Sequence, residues 1–133
     1  MKVFLGGTCN ESKWREILKP LLLIDYFDPV VPEWSDAARK RELHERQMCD
    51  YVLYTITPRM LGVYSIAEVV DDSNKRPKQT LLCLLESDEE AVWTEGQWKS
   101  LCAVYNLVYR NGATVCYTLE MVANSLNRWA GKA

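Results

Sequence analysis

Five short apolar runs alternate with helix-forming stretches along this chain: residues 2–5, 21–27, 50–57, 80–85 and 113–116. Continuous apolar runs of this length suit strands buried on both faces. Strands separated by helices predict one parallel sheet with helices on both faces. Its crossovers should be right-handed. The usual order for five such strands is 2-1-3-4-5, with a switch point between strands one and three. The predicted fold class is therefore α/β, as a single domain over residues 1–133.

The intervening stretches carry their own signals. Helix one is predicted from about Ser12 to Lys19, with Trp14, Ile17 and Leu18 facing inward at helical spacing. Pro20 ends it, because proline disfavours helical geometry in the residue before it. The two prolines of Asp28–Trp34 predict an extended loop. Ser35 is placed to cap a charged helix from Asp36 to Met48, whose Arg, Lys and Glu side chains predict a solvated face. A third helix opens at Gly62 and runs to about Asp72, with residues 73–77 ending it. Residues 86–90 read as an exposed acidic loop. Thr94-x-x-Gln97 is a capping box for a long helix with Trp98, Leu101, Cys102, Tyr105 and Val108 on one face. Gly112 suits its C-terminal cap. Leu119, Val122, Ala123, Leu126 and Trp129 line a last amphipathic helix, a face fit for the core or for an apolar subunit interface.

Composition excludes several classes of function. Basic residues number 16 and acidic residues 18, so the chain lacks the basic footprint of a protein that binds a nucleic-acid polymer. No apolar run reaches the roughly 18 residues that a membrane span needs. Residues 1–5 are too short an apolar run for a signal peptide. The five cysteines, Cys9, Cys49, Cys83, Cys102 and Cys116, are odd in number and widely spaced. That pattern points away from zinc and disulfides and towards a reducing cytoplasm. Cys83, Cys102 and Cys116 lie in apolar segments and read as small core residues. His44, the only histidine, lies in the charged helix and makes no metal site by itself. The glycines match neither G-x-G-x-x-G nor a phosphate-binding G-K-[ST] loop, so no cofactor or metal is predicted.

The predicted switch point brings two loops into one crevice: Gly6-Gly7-Thr8 after strand one, and Pro58 to Ser65 after strand three. Gly6 and Gly7 permit either a sharp turn or a close approach of backbone to ligand. Glu68 follows the second loop in Gly62-Val63-Tyr64-Ser65-Ile66-Ala67-Glu68. Two readings of it stand side by side. Ser65-x-x-Glu68 has the spacing of a capping box. A carboxylate in the first helical turn at this crevice is equally suited to attack a substrate, helped by the helix dipole.

The ordered set of residues resembles the nucleoside 2-deoxyribosyltransferase-like family. It comprises Val3 to Thr8, Trp14-Arg15, Asp28 to Val31, Trp34, Glu42, Cys49 to Val52, Ile56 to Pro58, Gly62 and Tyr64 to Glu68. Together these cover roughly the first 85 residues. The resemblance implies a flavodoxin-like fold, a catalytic glutamate at Glu68, and oligomers, a homodimer or larger, that share active sites. It implies a further carboxylate near the entrance to strand three, for which Glu42 or Glu45 qualifies. The family places another acid in the loop before the glutamate, whereas this chain has none between Pro58 and Ala67.

The implied substrate is a nucleoside or nucleotide. A carboxylate attacking its anomeric carbon forms a covalent glycosyl-enzyme through an oxocarbenium-like transition state. A second acid must protonate the leaving base, then take a proton from the incoming base or water. Asp28 and Glu42 are the candidates for that acid. Gly6, Gly7, Thr8, Gly62 and Ser65 are candidate substrate contacts, and Trp34 and Tyr64 either stack on the base or pack on the core. Two rival readings remain. Cys9 to Arg15 satisfies the C-x5-R spacing of cysteine-dependent phosphatases, in which a thiolate attacks phosphorus and the arginine grips the phosphate. Trp14, Glu11 and Glu16 suit such a loop poorly. The other rival is a non-catalytic α/β module that binds a nucleotide or a protein.

Overall fold

The computed structural model describes residues 1–9 and 11–132. In chain order, β1 is Lys2–Gly7, α1 Trp14–Leu18, β2 Asp25–Phe27, α2 Asp36–Met48, β3 Tyr51–Ile56, α3 Tyr64–Lys75 and β4 Thr80–Leu84. There follow β5 Ser87–Asp88, β6 Ala91–Val92, α4 Glu95–Arg110, β7 Thr114–Cys116 and α5 Leu119–Trp129. The sheet has five strands in the order β2-β1-β3-β4-β7. Every neighbouring pair is parallel. This is the predicted 2-1-3-4-5 order, with β7 as the fifth strand, and the α/β architecture is consistent with a flavodoxin-like fold.

Strand alternation sorts the apolar side chains into two cores, because successive residues face opposite sides of a sheet. Val3, Leu5, Leu53, Leu81, Cys83 and Cys116 pack with Trp14 and Leu18 of α1 and with Leu119, Val122, Ala123 and Leu126 of α5. Phe4, Val52, Tyr54, Ile56, Leu82 and Leu84 pack on the other side with Val69 of α3 and Leu101 and Val108 of α4. The apolar face of α5 thus packs on its own core, which decides between the two readings of that face in favour of the core. Of the cysteines read as core residues, Cys83 and Cys116 are buried and Cys102 is half-buried, while Cys49 also lies in the core.

Several boundaries differ from the sequence reading for identifiable reasons. The run 21–27 gives only three strand residues. Pro20 starts a short 3-10 turn over Lys19–Leu21. The backbone beyond it bonds the Asn127 side chain on α5: Leu23 N–H donates to Asn127 Oδ1 and Asn127 Nδ2 donates to Leu21 O. In α1, Trp14 and Leu18 are buried as expected, but Ile17 is exposed and Arg15 is buried. The acidic loop forms the first strand and turn of a small antiparallel hairpin, β5 with β6. Two-residue strands are too short to show a period. The Ser35 cap and the Thr94–Gln97 capping box both form, and Gly112 adopts φ +99° after α4. No helix among the described residues is long and apolar enough to cross a membrane.

Candidate active site

The C-terminal ends of β1 and β3 open onto a cleft of about 310 Å³. Among the predicted residues, its lining includes Gly6, Gly7, Trp34, Glu42, Tyr64, Ser65 and Glu68. Phe4, Cys9, Arg15 and Pro29 to Val31 complete the wall. Trp34 and Tyr64 are 61% and 72% exposed, so their rings stand at the mouth and do not pack in the core.

Three predicted contacts lie elsewhere. Thr8 is buried and bonds backbone: its N–H donates to Thr55 O at 2.9 Å and its Oγ1 accepts from Thr57 N–H at 3.0 Å. It ties β1 to β3 and does not line the cleft. Gly62 is exposed, with no atom within 4 Å of where a Cβ would sit, and is outside the lining. Asp28 is also outside it. Its carboxylate meets Lys19 Nζ at 2.6 Å and Arg15 Nε at 3.5 Å, and accepts from Val30 N–H at 2.9 Å. Those bonds shape the loop and leave Asp28 poorly placed to donate a proton.

The diglycine serves the sheet as much as the cleft. Gly7 has φ +116°, and a Cβ there would sit 2.1 Å from Thr55 O. Only glycine permits that backbone. At Gly6 a Cβ would come within 2.9 Å of the Tyr54 ring.

The capping reading of Glu68 does not survive the geometry. Helix α3 begins at Tyr64 after Val63, which makes no side-chain capping bond. Ser65 is the second helical residue and Glu68 the fifth, so Glu68 lies beyond the first turn and gains little from the helix dipole. Its counter-charge is Arg46. Arg46 Nη1 lies 3.5 Å from Glu68 Oε2, and both side chains are mostly buried. Burial raises the Glu68 carboxyl above its ordinary range, Arg46 pulls it back, and Glu42 and Asp72 push it up again. Glu42 is raised as well, chiefly by burial, against the pull of Arg15 and Arg46.

Arg46 is held from behind by a polar network that the sequence reading missed. Its Nε donates towards Tyr54 Oη at 2.8 Å and Asp72 Oδ2 at 3.2 Å. Tyr54 Oη donates to the same Asp72 oxygen at 2.6 Å, and Arg76 Nε donates to Asp72 Oδ1 at 3.3 Å. Burial opposes the charge on Arg46, but Tyr54, Asp72 and Glu68 outweigh it and hold the guanidinium charged. A signal was present in the sequence. Glu42 and Arg46 are four residues apart on α2, and Glu68 and Asp72 four apart on α3, so each pair shares a helix face. The solvated-face reading of α2 holds for Asp36, Arg39, Lys40 and Arg41, which are exposed, but Arg46 turns inward and Glu45 is bound to Lys2.

The phosphatase reading also fails on geometry. Arg15 is buried and donates to three carbonyls, from Nε to Leu5 O, from Nη1 to Thr8 O and from Nη2 to Gly7 O. Burial lowers its pKa to about 10 against the pull of Asp28, Cys9 and Glu42. A guanidinium with a bond to a backbone carbonyl from each of its three nitrogens is a brace for the β1 loop and is not free to grip a phosphate as a phosphatase arginine does. Within that loop, Asn10 lies outside the described residues. Among the described residues, no group of three or more His, Cys, Asp or Glu side chains is arranged to hold a metal ion.

Neither a curated protein nor a solved structure matches the chain significantly. A family model described as nucleoside 2-deoxyribosyltransferase like matches residues 1–88. The matched segment includes every strand and loop that bounds the cleft. This chain belongs to the nucleoside 2-deoxyribosyltransferase-like family.

Proposed function

We propose that the protein cleaves or exchanges the N-glycosidic bond of a nucleoside, with Glu68 as nucleophile and Glu42 as proton donor. One observation carries this reading: two partly buried carboxylates line one cleft, and a guanidinium lies against Glu68. Glu68 has a guanidinium at 3.5 Å, which favours its anion. Glu42 feels Arg15 and Arg46 through space only, and burial favours its protonated form. Burial raises both carboxyls, and the guanidinium at 3.5 Å from Glu68 is the difference on which Glu68 is proposed as nucleophile and Glu42 as acid.

The reaction then balances in two steps. Glu68 Oε forms a bond to the anomeric carbon as the carbon–nitrogen bond breaks, and Glu42 gives its proton to the departing base. Water or a second base next attacks the anomeric carbon and surrenders a proton to Glu42, and Glu68 leaves as a carboxylate. The choice between hydrolysis and exchange depends on which nucleophile occupies the cleft in the second step. Trp34 and Tyr64 offer rings for stacking at its mouth. Arg15 is the only cation in the lining among the described residues, and it is braced by three backbone carbonyls and faces Asp28 at 3.5 Å, which favours an uncharged sugar over a phosphorylated one.

The outer surface of α3 is the face proposed here for a second copy. Val63, Ile66, Ala67 and Val70 form an apolar stripe there, beside the exposed Leu61 and Tyr64. An apolar stripe at helical spacing suits packing against the same stripe of a partner about a two-fold axis.

Base release from nucleosides and their 5′-monophosphates, followed with Glu68→Gln and with a 2-fluoro-2-deoxyribosyl nucleoside, tests the chemistry. The expected result is base release by the wild type, loss by orders of magnitude in Glu68→Gln, and a sugar adduct on Glu68 in the intact-protein mass. Full activity in Glu68→Gln would overturn the assignment.

A further inference from the structure

A second cavity, of about 330 Å³, lies at the ends of β4 and β7 and is lined by Leu84, Glu86, Trp98, Cys102, Tyr105 and Tyr117. It is as large as the cleft holding Glu68 and shares no residue with it. Its aromatic wall falls outside the segment matched by the family model, which ends at residue 88. The glycosidic chemistry makes no use of it.

The fold builds this cavity from two directions. Trp98, Cys102 and Tyr105 are spaced four and three apart on α4, so they form one stripe on that helix. Glu86 leaves the end of β4 and Tyr117 the end of β7, so both stand at the C-terminal edge of the sheet, where α/β folds take ligands. Leu84 forms an apolar floor, being 4% exposed.

The lining chemistry is selective. Three aromatic rings and one carboxylate line the cavity, and among the described residues no cationic side chain does. Arg59, which reaches the neighbouring hairpin, pairs with Asp88 and Glu90, and among the described residues Glu86 forms no ion pair within 4 Å. Aromatic faces attract cations through their quadrupole, most strongly when the cation carries an apolar shell and is easily desolvated. An anion would meet Glu86 with repulsion, and a purely apolar ligand would gain nothing from it. We infer that this cavity is a binding site for a small organic cation of the substituted-ammonium class, held by Trp98, Tyr105 and Tyr117 with Glu86 as counter-ion.

The test titrates the full chain with choline and with its uncharged carbon isostere, 3,3-dimethylbutan-1-ol, followed by amide and indole N–H shifts in NMR. Choline is expected to shift the Trp98 indole N–H and the amides of Cys102 and Tyr105 saturably, with the isostere binding at least about tenfold weaker, a 1.4 kcal/mol difference. Glu86→Gln and Tyr117→Leu alter exposed side chains, so both should fold and each weaken choline binding several-fold. Equal affinity for the two probes would mean an apolar cavity only and would overturn the inference. So would the absence of saturable shifts at about 10 mM choline, where even a millimolar site fills, or unchanged affinity in both variants.

Discussion

Replacing Arg46 with methionine tests the electrostatic design of the cleft without requiring a substrate. The change keeps an unbranched stem and removes the guanidinium. Four groups lose a partner: Tyr54 at 2.8 Å, Asp72 at 3.2 Å, and Glu68 and Asp71 at 3.5 Å each. They do not lose equally. Asp71 is half exposed and keeps Lys75 at 3.1 Å. Asp72 is 4% exposed in its side chain but keeps Tyr54 and Arg76. Glu68, at 12% side-chain exposure, loses the guanidinium that is its ion-pair partner. Stripping one partner from a buried ion pair costs about 3–5 kcal/mol. The partners that remain to Asp72, and the partial exposure of Arg46, bring the expectation down to about 2–3 kcal/mol. At about 3–5 °C per kcal/mol for a chain of this size, the melting temperature should fall by about 6–15 °C at neutral pH. The Glu68 carboxyl, already raised by burial, should titrate higher still, because Arg46 is the group that lowers it. The assay is a carboxyl carbon-13 titration of Glu68 in wild type and Arg46→Met, beside calorimetry. Arg46→Lys restores the charge without the fork and should fall between the two. If Glu68 titrates at the same pH in all three proteins, Arg46 does not set its ionisation and the proposed division of roles fails.

Three further outcomes follow from the same geometry. Because burial raises Glu42 in the folded chain, the folded state holds that proton more tightly than the unfolded state does. Its stabilising contribution is full below the unfolded glutamate pKa and is lost as pH rises through the folded value; Glu42→Gln should therefore melt at or above wild type at neutral pH, lose that advantage in acid, and release base far more slowly, and a lower melting temperature at neutral pH would contradict this. Gly7→Ala places a Cβ against Thr55 O at a positive φ and should cost more than about 4 kcal/mol, the range of severe single substitutions, read as loss of cooperative unfolding; a near-native transition would refute it. Light scattering should give a dimer or larger for the wild type and a 15.4 kDa monomer for Val70→Asp; a monomeric wild type would remove the α3 interface.

The chain's pattern alone determined the α/β class, the strand order and the crevice at the switch point. Burial on both faces of a parallel sheet forces continuous apolar strands, and the alternation with helices leaves few topologies. The place of Glu68 beside the crevice was also legible, since residues 62–68 open the helix that follows the third strand's loop. Its environment was not. Whether Ser65 and Glu68 cap the helix depends on where α3 starts, and a shift to Tyr64 removes the capping bond altogether. Asp28 and Thr8 had the right chemistry in the right loops, yet Lys19, Arg15 and the β3 backbone claim their polar atoms. Arg46 looked like one charge among many on α2. Only the docking of α2 beside α3 turns the Glu42–Arg46 face towards Glu68 and Asp72, and brings together four ionisable groups from two helices. Pairings of that kind are set by the three-dimensional packing of distant segments, to which the period of a single helix is blind.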